Sequence, residues 1–219
     1  DKSSNPFIGF GVREWGLENH EDIKTRNSWR YLYTFEYSKG KVNYNSAGTG
    51  TMVKDYSRGR LEVYLSKEIF VNQKGARPFF GIGYRELFDN SADRVSSTGN
   101  IGYNRLSQYY FLPVGMIWFI TDKWSLKSQY NYLLKGKQTS YLNDALPATY
   151  NVNPVNTQNI GGGFDFTLNK KLNSNWHYYG FFRHWDIGVS DTVSCSASFS
   201  CFEPKNTTNE LGVGISFTF

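Results

Sequence analysis

Cysteine occurs twice, methionine twice, histidine three times and proline six times in 219 residues. No apolar run approaches the roughly 18–20 residues that a membrane-crossing helix requires, which excludes a helical membrane protein. Cys195 and Cys201 stand alone in a Ser-rich stretch without the repeated Cys or His spacing of a zinc site. No metal or other cofactor is expected, and a local disulfide implying an oxidising compartment is. Acids are outnumbered, 19 against 24 Lys and Arg, giving a net charge of +5. With no RNP-like, helix-turn-helix or zinc-finger pattern beside that charge, nucleic acid is not an expected partner. No basic, apolar leader opens the chain at Asp1, so for an exported protein the signal peptide is expected to have been removed already. No linker divides residues 1–219, which read as a single domain.

What the chain has in surplus is aromatic rings: 16 Tyr, 17 Phe and 6 Trp, or 18% of its residues, against a mean hydropathy of only −0.52. Alternation with a period of two reconciles these values, because a strand with lipid on one side and a polar interior on the other has an ordinary average. Leu211, Val213, Ile215, Phe217 and Phe219 oppose Glu210, Gly212, Gly214, Ser216 and Thr218. Trp29, Tyr31, Tyr33, Phe35 and Tyr37 oppose Arg30, Thr34, Glu36 and Ser38. The same rule holds in Leu61 to Leu65, Phe80 to Phe88, Tyr110 to Ile120, Trp124 to Leu134 and Ile160 to Leu168. In the segment from Asn175 to Val189, aromatic on both faces, Trp176, Tyr178 and Phe182 are placed outward.

This pattern predicts an all-β fold: a membrane-spanning, antiparallel, up-and-down β-barrel of about ten strands. Two of the ten are weak, Phe7 to Leu17 and Lys41 to Ala47. Short turns are expected near Lys39-Gly40, Val71 to Arg77, Thr121 to Lys123 and Asn169 to Ser174. Longer connections are expected near Glu18 to Asn27, Asp89 to Asn104, Thr139 to Thr157 and Ser190 to Asn209, with a smaller one at Gly48 to Thr51. Both termini then fall on the short-turn side. In hydrocarbon an unpaired sheet edge costs several kcal/mol per group, so lipid exposure implies closure into a cylinder. Tyr37, Trp118, Trp124 and Trp176 are expected at one membrane interface, and Trp29, Tyr31 and Tyr132 near the other.

The closing run Gly212-Val213-Gly214-Ile215-Ser216-Phe217-Thr218-Phe219 resembles the small outer-membrane β-barrel proteins of Gram-negative bacteria, whose short turns are periplasmic and whose long loops are external. The resemblance implies a bacterial outer-membrane location, contact with membrane lipid and lipopolysaccharide, and a role for Phe219 as the assembly signal read by the insertion machinery. A monomer is expected.

About eight strands leave an interior just filled by side chains, and ten leave a narrow lumen at best. Arg30, Arg58, Arg60, Arg85, Lys127 and Lys135 are expected to face inward, against Glu36, Glu62, Asp165 and Glu210. They form either a buried network that plugs the barrel or an electropositive constriction that admits small anionic solutes. For catalysis the weak candidates are His184 and Asp186, two apart on one strand face. The ten-stranded omptin proteases carry the order Asp-x-His with an Asp pair across the cleft, whereas this chain has His184-Trp185-Asp186 and no such pair. The His-x-Ser pair of lipid A deacylases is absent. In the external loops Arg94, Tyr103, Tyr141, Tyr150 and Phe199 are candidates for contact with an extracellular ligand, with Cys195 and Cys201 stiffening one loop tip. The leading expectation is therefore surface loops for ligand binding or adhesion above a filled lumen; a narrow diffusion channel comes second and a hydrolase third.

Overall fold

The computed structural model describes residues 7–13, 29–67, 69–71 and 74–217. In chain order its elements are β1 (Phe7–Arg13), β2 (Trp29–Ser46), β3 (Gly50–Lys67), β4 (Ile69–Val71), β5 (Lys74–Asn90), β6 (Arg105–Phe119), β7 (Trp124–Ser140), α1 (Leu142–Ala145), β8 (Val155–Gln158), β9 (Gly161–Lys171), β10 (Trp176–Ile187), β11 (Thr192–Ser194), β12 (Ser200–Phe202) and β13 (Asn206–Phe217). One antiparallel sheet runs β1-β2-β3-β5-β6-β7-β9-β10-β13, with β4 against β5 and β8 against β7, while β11 and β12 form a separate hairpin.

The sheet is strongly curled, as an ion pair across it requires. Arg183 on β10 meets Glu36 on β2 at 2.6 Å, although six strand steps separate them along the path. In a flat sheet those steps would hold the two strands about 29 Å apart. Alternation assigns the faces: Trp29, Tyr31, Tyr33 and Phe35 are exposed on the convex side while Leu32, Thr34 and Ser38 are buried on the concave one. On β10, Trp176, Tyr178 and Phe182 point outward, and Arg183, Trp185 and Ile187 inward.

Among the described residues no ladder joins β1 to β13, so these strands form a curled half-barrel and not the expected closed cylinder. Three further details depart from the sequence-based expectation. No turn occurs at Lys39-Gly40, since β2 continues to Ser46 with Lys39 opposite Ser57 and Gly40 opposite Tyr56. Ser38 and Val42 stay inside and Lys39 and Lys41 outside, so the alternation never breaks and β3 supplies a ladder partner throughout. Two expected strands therefore merge, and the main path has nine. As a consequence β1 and β13, at its two ends, run in the same direction, so the start of β1 and the end of β13 lie at opposite ends of the sheet. Trp29 lies at the short-turn end with Trp118, Trp124 and Trp176, whereas Tyr37 lies toward the other.

The third detail is Lys135, which is exposed on the convex face rather than inside. The β6–β7 register shifts between Tyr110 and Phe111, which pair with Lys135 and Leu133, so Leu134 is an extra residue. One inserted residue exchanges the faces of everything beyond it. Leu133 is buried, Leu134 and Lys135 both face out, and Gly136 and Gln138 then take the inner positions.

Two apolar clusters fill much of the interior. Leu32, Tyr64, Phe79 and Ile117 pack toward the short-turn end, and Leu87, Tyr109, Phe111, Leu133, Trp185 and Ile187 toward the other. The Phe111 ring lies edge-on to Trp185 at 5.1 Å and stands over Gly83, where a Cβ would collide with it. Gly83→Ala is therefore expected to destabilise the fold by about 1–3 kcal/mol, read as a lowered urea midpoint at unchanged m-value.

Candidate functional site: the charged interior and the long-loop end

Between the two apolar clusters lies a layer of charge, positioned by inward registers on seven strands. Arg60 on β3 donates to Glu62 at 2.6 Å and reaches Asp165 on β9 with the same Nη2. Glu62 also accepts from the Tyr64 hydroxyl and, at 2.7 Å, from Gln129 on β7; Lys127 in turn donates to the Tyr64 oxygen at 2.8 Å. A second group centres on Glu210 of β13, which pairs with Arg58, with Arg85 at 3.1 Å and with Arg183 at 3.7 Å. Arg60, Glu62, Arg85, Lys127, Asp165 and Arg183 are all buried. Aromatic faces carry part of the basic charge, with Arg85 4.9 Å from the Trp185 ring and Arg60 5.4 Å from Phe111.

Of the sequence-predicted inward residues, the structure brings Glu36, Arg58, Arg60, Glu62, Arg85, Lys127, Asp165 and Glu210 into this layer. Arg30 is half-buried nearer the short-turn end, its carbonyl facing the Ser66 hydroxyl at 3.4 Å, and Lys135 is outside. Arg183 was not singled out, because the aromatics on both faces of its segment mask the inner side; its parity, opposite to Trp176, Tyr178 and Phe182, is the signal that finds it. The inner aromatics Tyr109 and Trp185 were missed for the same reason.

At the long-loop end the connections are fastened in two groups. The β2–β3 turn holds the 91–104 connection through Ser97 N to Thr51 O at 2.8 Å and Thr98 Oγ1 to Thr49 O at 2.8 Å. The 141–160 and 188–205 connections are joined by Thr157 N to Asp191 Oδ1 at 2.6 Å, by Asn156 Nδ2 to the Asp191 and Cys201 carbonyls, and by Ser140 Oγ to Glu203 at 2.9 Å. Beneath them Asp89 accepts from Lys54 at 2.5 Å and Arg105 at 2.9 Å. Cys195 and Cys201 form a disulfide that clips the β11–β12 hairpin, and Phe199 and Phe202 are exposed on it.

The other loop candidates serve partly as structure. Arg94 pairs with Asp55 at 3.0 Å, and the Tyr141 amide donates to the Asn104 carbonyl at 2.9 Å. The Tyr150 amide donates to the Leu146 carbonyl at 3.0 Å. Tyr103 is half-buried, and burial raises its hydroxyl above the usual pKa against the opposing pull of Arg105.

His184 and Asp186 share the convex face, away from the charged layer, and each is held by β13 or the segment before it. His184 Nδ1 is 2.8 Å from Asn209 Oδ1; Asp186 pairs with Lys205 at 2.8 Å and accepts from Thr207 at 3.1 Å. The two side chains are therefore held by separate partners on the outer face. No cluster of three or more His, Cys, Asp or Glu side chains suited to a metal occurs among the described residues. His20 and Phe219 lie outside the described residues. No protein-family profile matches this sequence, and no curated protein does.

Proposed function

We propose that the chain spans an outer membrane as a β-barrel whose interior is closed by the charged layer and whose fastened long-loop end binds an external ligand or supports adhesion. The observation that carries the membrane reading is the convex face. Trp29 to Tyr37 on β2 and Tyr110 to Trp118 on β6 are nine-residue spans whose outward positions are apolar or aromatic. Crossing the hydrocarbon core takes about 9–11 strand residues. Beyond those spans the outward positions turn polar, with Lys39, Lys41 and Asn43 on β2, Gln108 on β6 and Lys137 on β7. A water-soluble protein rarely leaves so continuous an apolar surface uncovered.

In this reading the short turns lie in the periplasm, and lipid and lipopolysaccharide surround the apolar belt. Recognition falls to the long-loop end because its connections are already tied together, so little ordering cost remains when a ligand arrives. Exposed Phe199 and Phe202 on the clipped hairpin offer apolar contact there. The full chain is expected to fold in detergent micelles or vesicles and to aggregate without them; folded, monodisperse protein in plain buffer would overturn the membrane reading.

The excess of buried basic groups favours a second reading, a narrow anion channel. The pairs that bridge opposite sides of the curl, Arg60 with Asp165 and Arg183 with Glu36, count against it. Planar-bilayer recording is expected to give no resolved current steps, and anion-selective steps would replace the closed-interior reading with the channel.

A further inference from the structure

On the convex face near the short-turn end, a groove of about 500 Å³ crosses four strands. Its floor is Gly180 on β10, which leaves a gap between the outward side chains of Tyr178 and Phe182. Register builds its walls. Gly180 lies opposite Leu168 on one side and Val213 on the other, and Tyr178 lies opposite Lys170 and Ile215. Trp124 closes the row opposite Lys170, whose ammonium sits 5.2 Å from the Trp124 ring. The lining is otherwise apolar, and Lys170 is its one charged member. The Lys171 amide donates to the Lys123 carbonyl and joins the two short turns beside it.

We propose that this groove is a binding site for one glycerophospholipid, an acyl chain lying over Gly180 and the phosphate held by Lys170 at the rim. The inference rests on the membrane reading above, which makes this end face the phospholipid leaflet. An apolar slot suits a hydrocarbon chain, and a lysine one row nearer the turn suits a phosphate at the depth where Trp124 and Tyr178 mark the interface. A second copy of the chain fits less well, since a protein partner would bring buried polar contacts that this lining does not answer.

The test uses two variants of the full chain in non-ionic detergent. A Cβ at Gly180 meets nothing closer than 3.8 Å, so Gly180→Leu fills the slot without forcing the backbone, and Lys170→Gln removes the charge. Native mass spectrometry during titration with phosphatidylglycerol is expected to show one tightly bound lipid on the unaltered chain. Gly180→Leu is expected to weaken it by at least 10-fold and Lys170→Gln by about 5-fold. Inorganic phosphate and a soluble short-chain fatty acid are the competing probes. Equal lipid binding by Gly180→Leu, displacement by phosphate or fatty acid alone, or a dimer that Gly180→Leu dissociates would each overturn the proposal. Insertion into phosphatidylcholine vesicles is scored separately: a chain that inserts but binds phosphatidylglycerol no better than Gly180→Leu defeats only this inference, and one that fails to insert defeats the membrane reading.

Discussion

Arg60→Ala is expected to lower stability by about 3–5 kcal/mol, because it removes the cation shared by two buried carboxylates. Arg60 is the shared partner of Glu62 and Asp165, all three are buried, and the pair with Asp165 joins β3 to β9 across the curl. Taking such charges out of water costs several kcal/mol per ion, and only the guanidinium and the surrounding hydrogen bonds offset that cost. Without it, Glu62 keeps Tyr64 and Gln129, while Asp165 loses its ion-pair partner. The measurement is urea unfolding of chain reconstituted in vesicles, followed by Trp emission. A loss below about 1 kcal/mol would mean that water reaches the layer and that the interior is open. Replacing the whole triad with Arg60→Met, Glu62→Gln and Asp165→Leu is expected to recover most of the loss, since uncharged side chains of matched volume can equal a buried ion group.

An arginine in the middle of the convex belt tests the other half of the proposal. Val114 on β6 is 54% exposed, and its cross-strand neighbours Phe80 and Tyr130 are exposed too. In a bilayer Val114→Arg is expected to cost about 2–4 kcal/mol, the penalty for a charge on a lipid-facing strand at mid-depth. On a water-facing sheet the same change would stay within about ±0.5 kcal/mol. Asn43→Arg, on the exposed polar part of β2 beyond the belt, provides the comparison and is expected to be neutral. Equal behaviour of the two variants in vesicles would remove lipid from the account of this face.

Much of the candidate site was legible as parity. Arg60, Glu62, Arg85, Lys127, Asp165 and Glu210 each sit next to an apolar neighbour in an alternating run, and that suffices to place them on one side of a strand. Their pairing was not legible, because Arg60 finds Asp165 105 residues away only after the sheet has curled. Lys135 shows where parity fails: nothing in the run Tyr132-Leu133-Leu134-Lys135 announces that Leu134 is an extra residue, and one bulge reverses the lysine. At Lys39-Gly40 glycine is compatible with a turn, whereas an available partner strand keeps the chain extended. The Gly180 groove was invisible for a related reason, since its walls come from four strands brought level by register.

From its residues alone the chain is determined to be an antiparallel β protein with one apolar and one polar face per strand, because side-chain direction alternates along any extended backbone whatever lies beside it. Which strands merge, which lysine turns outward, which acid meets which arginine and how the loops are fastened were decided only by the folded sheet. Those outcomes depend on hydrogen-bond register and on distances across the curl, and neither is a property of a single strand.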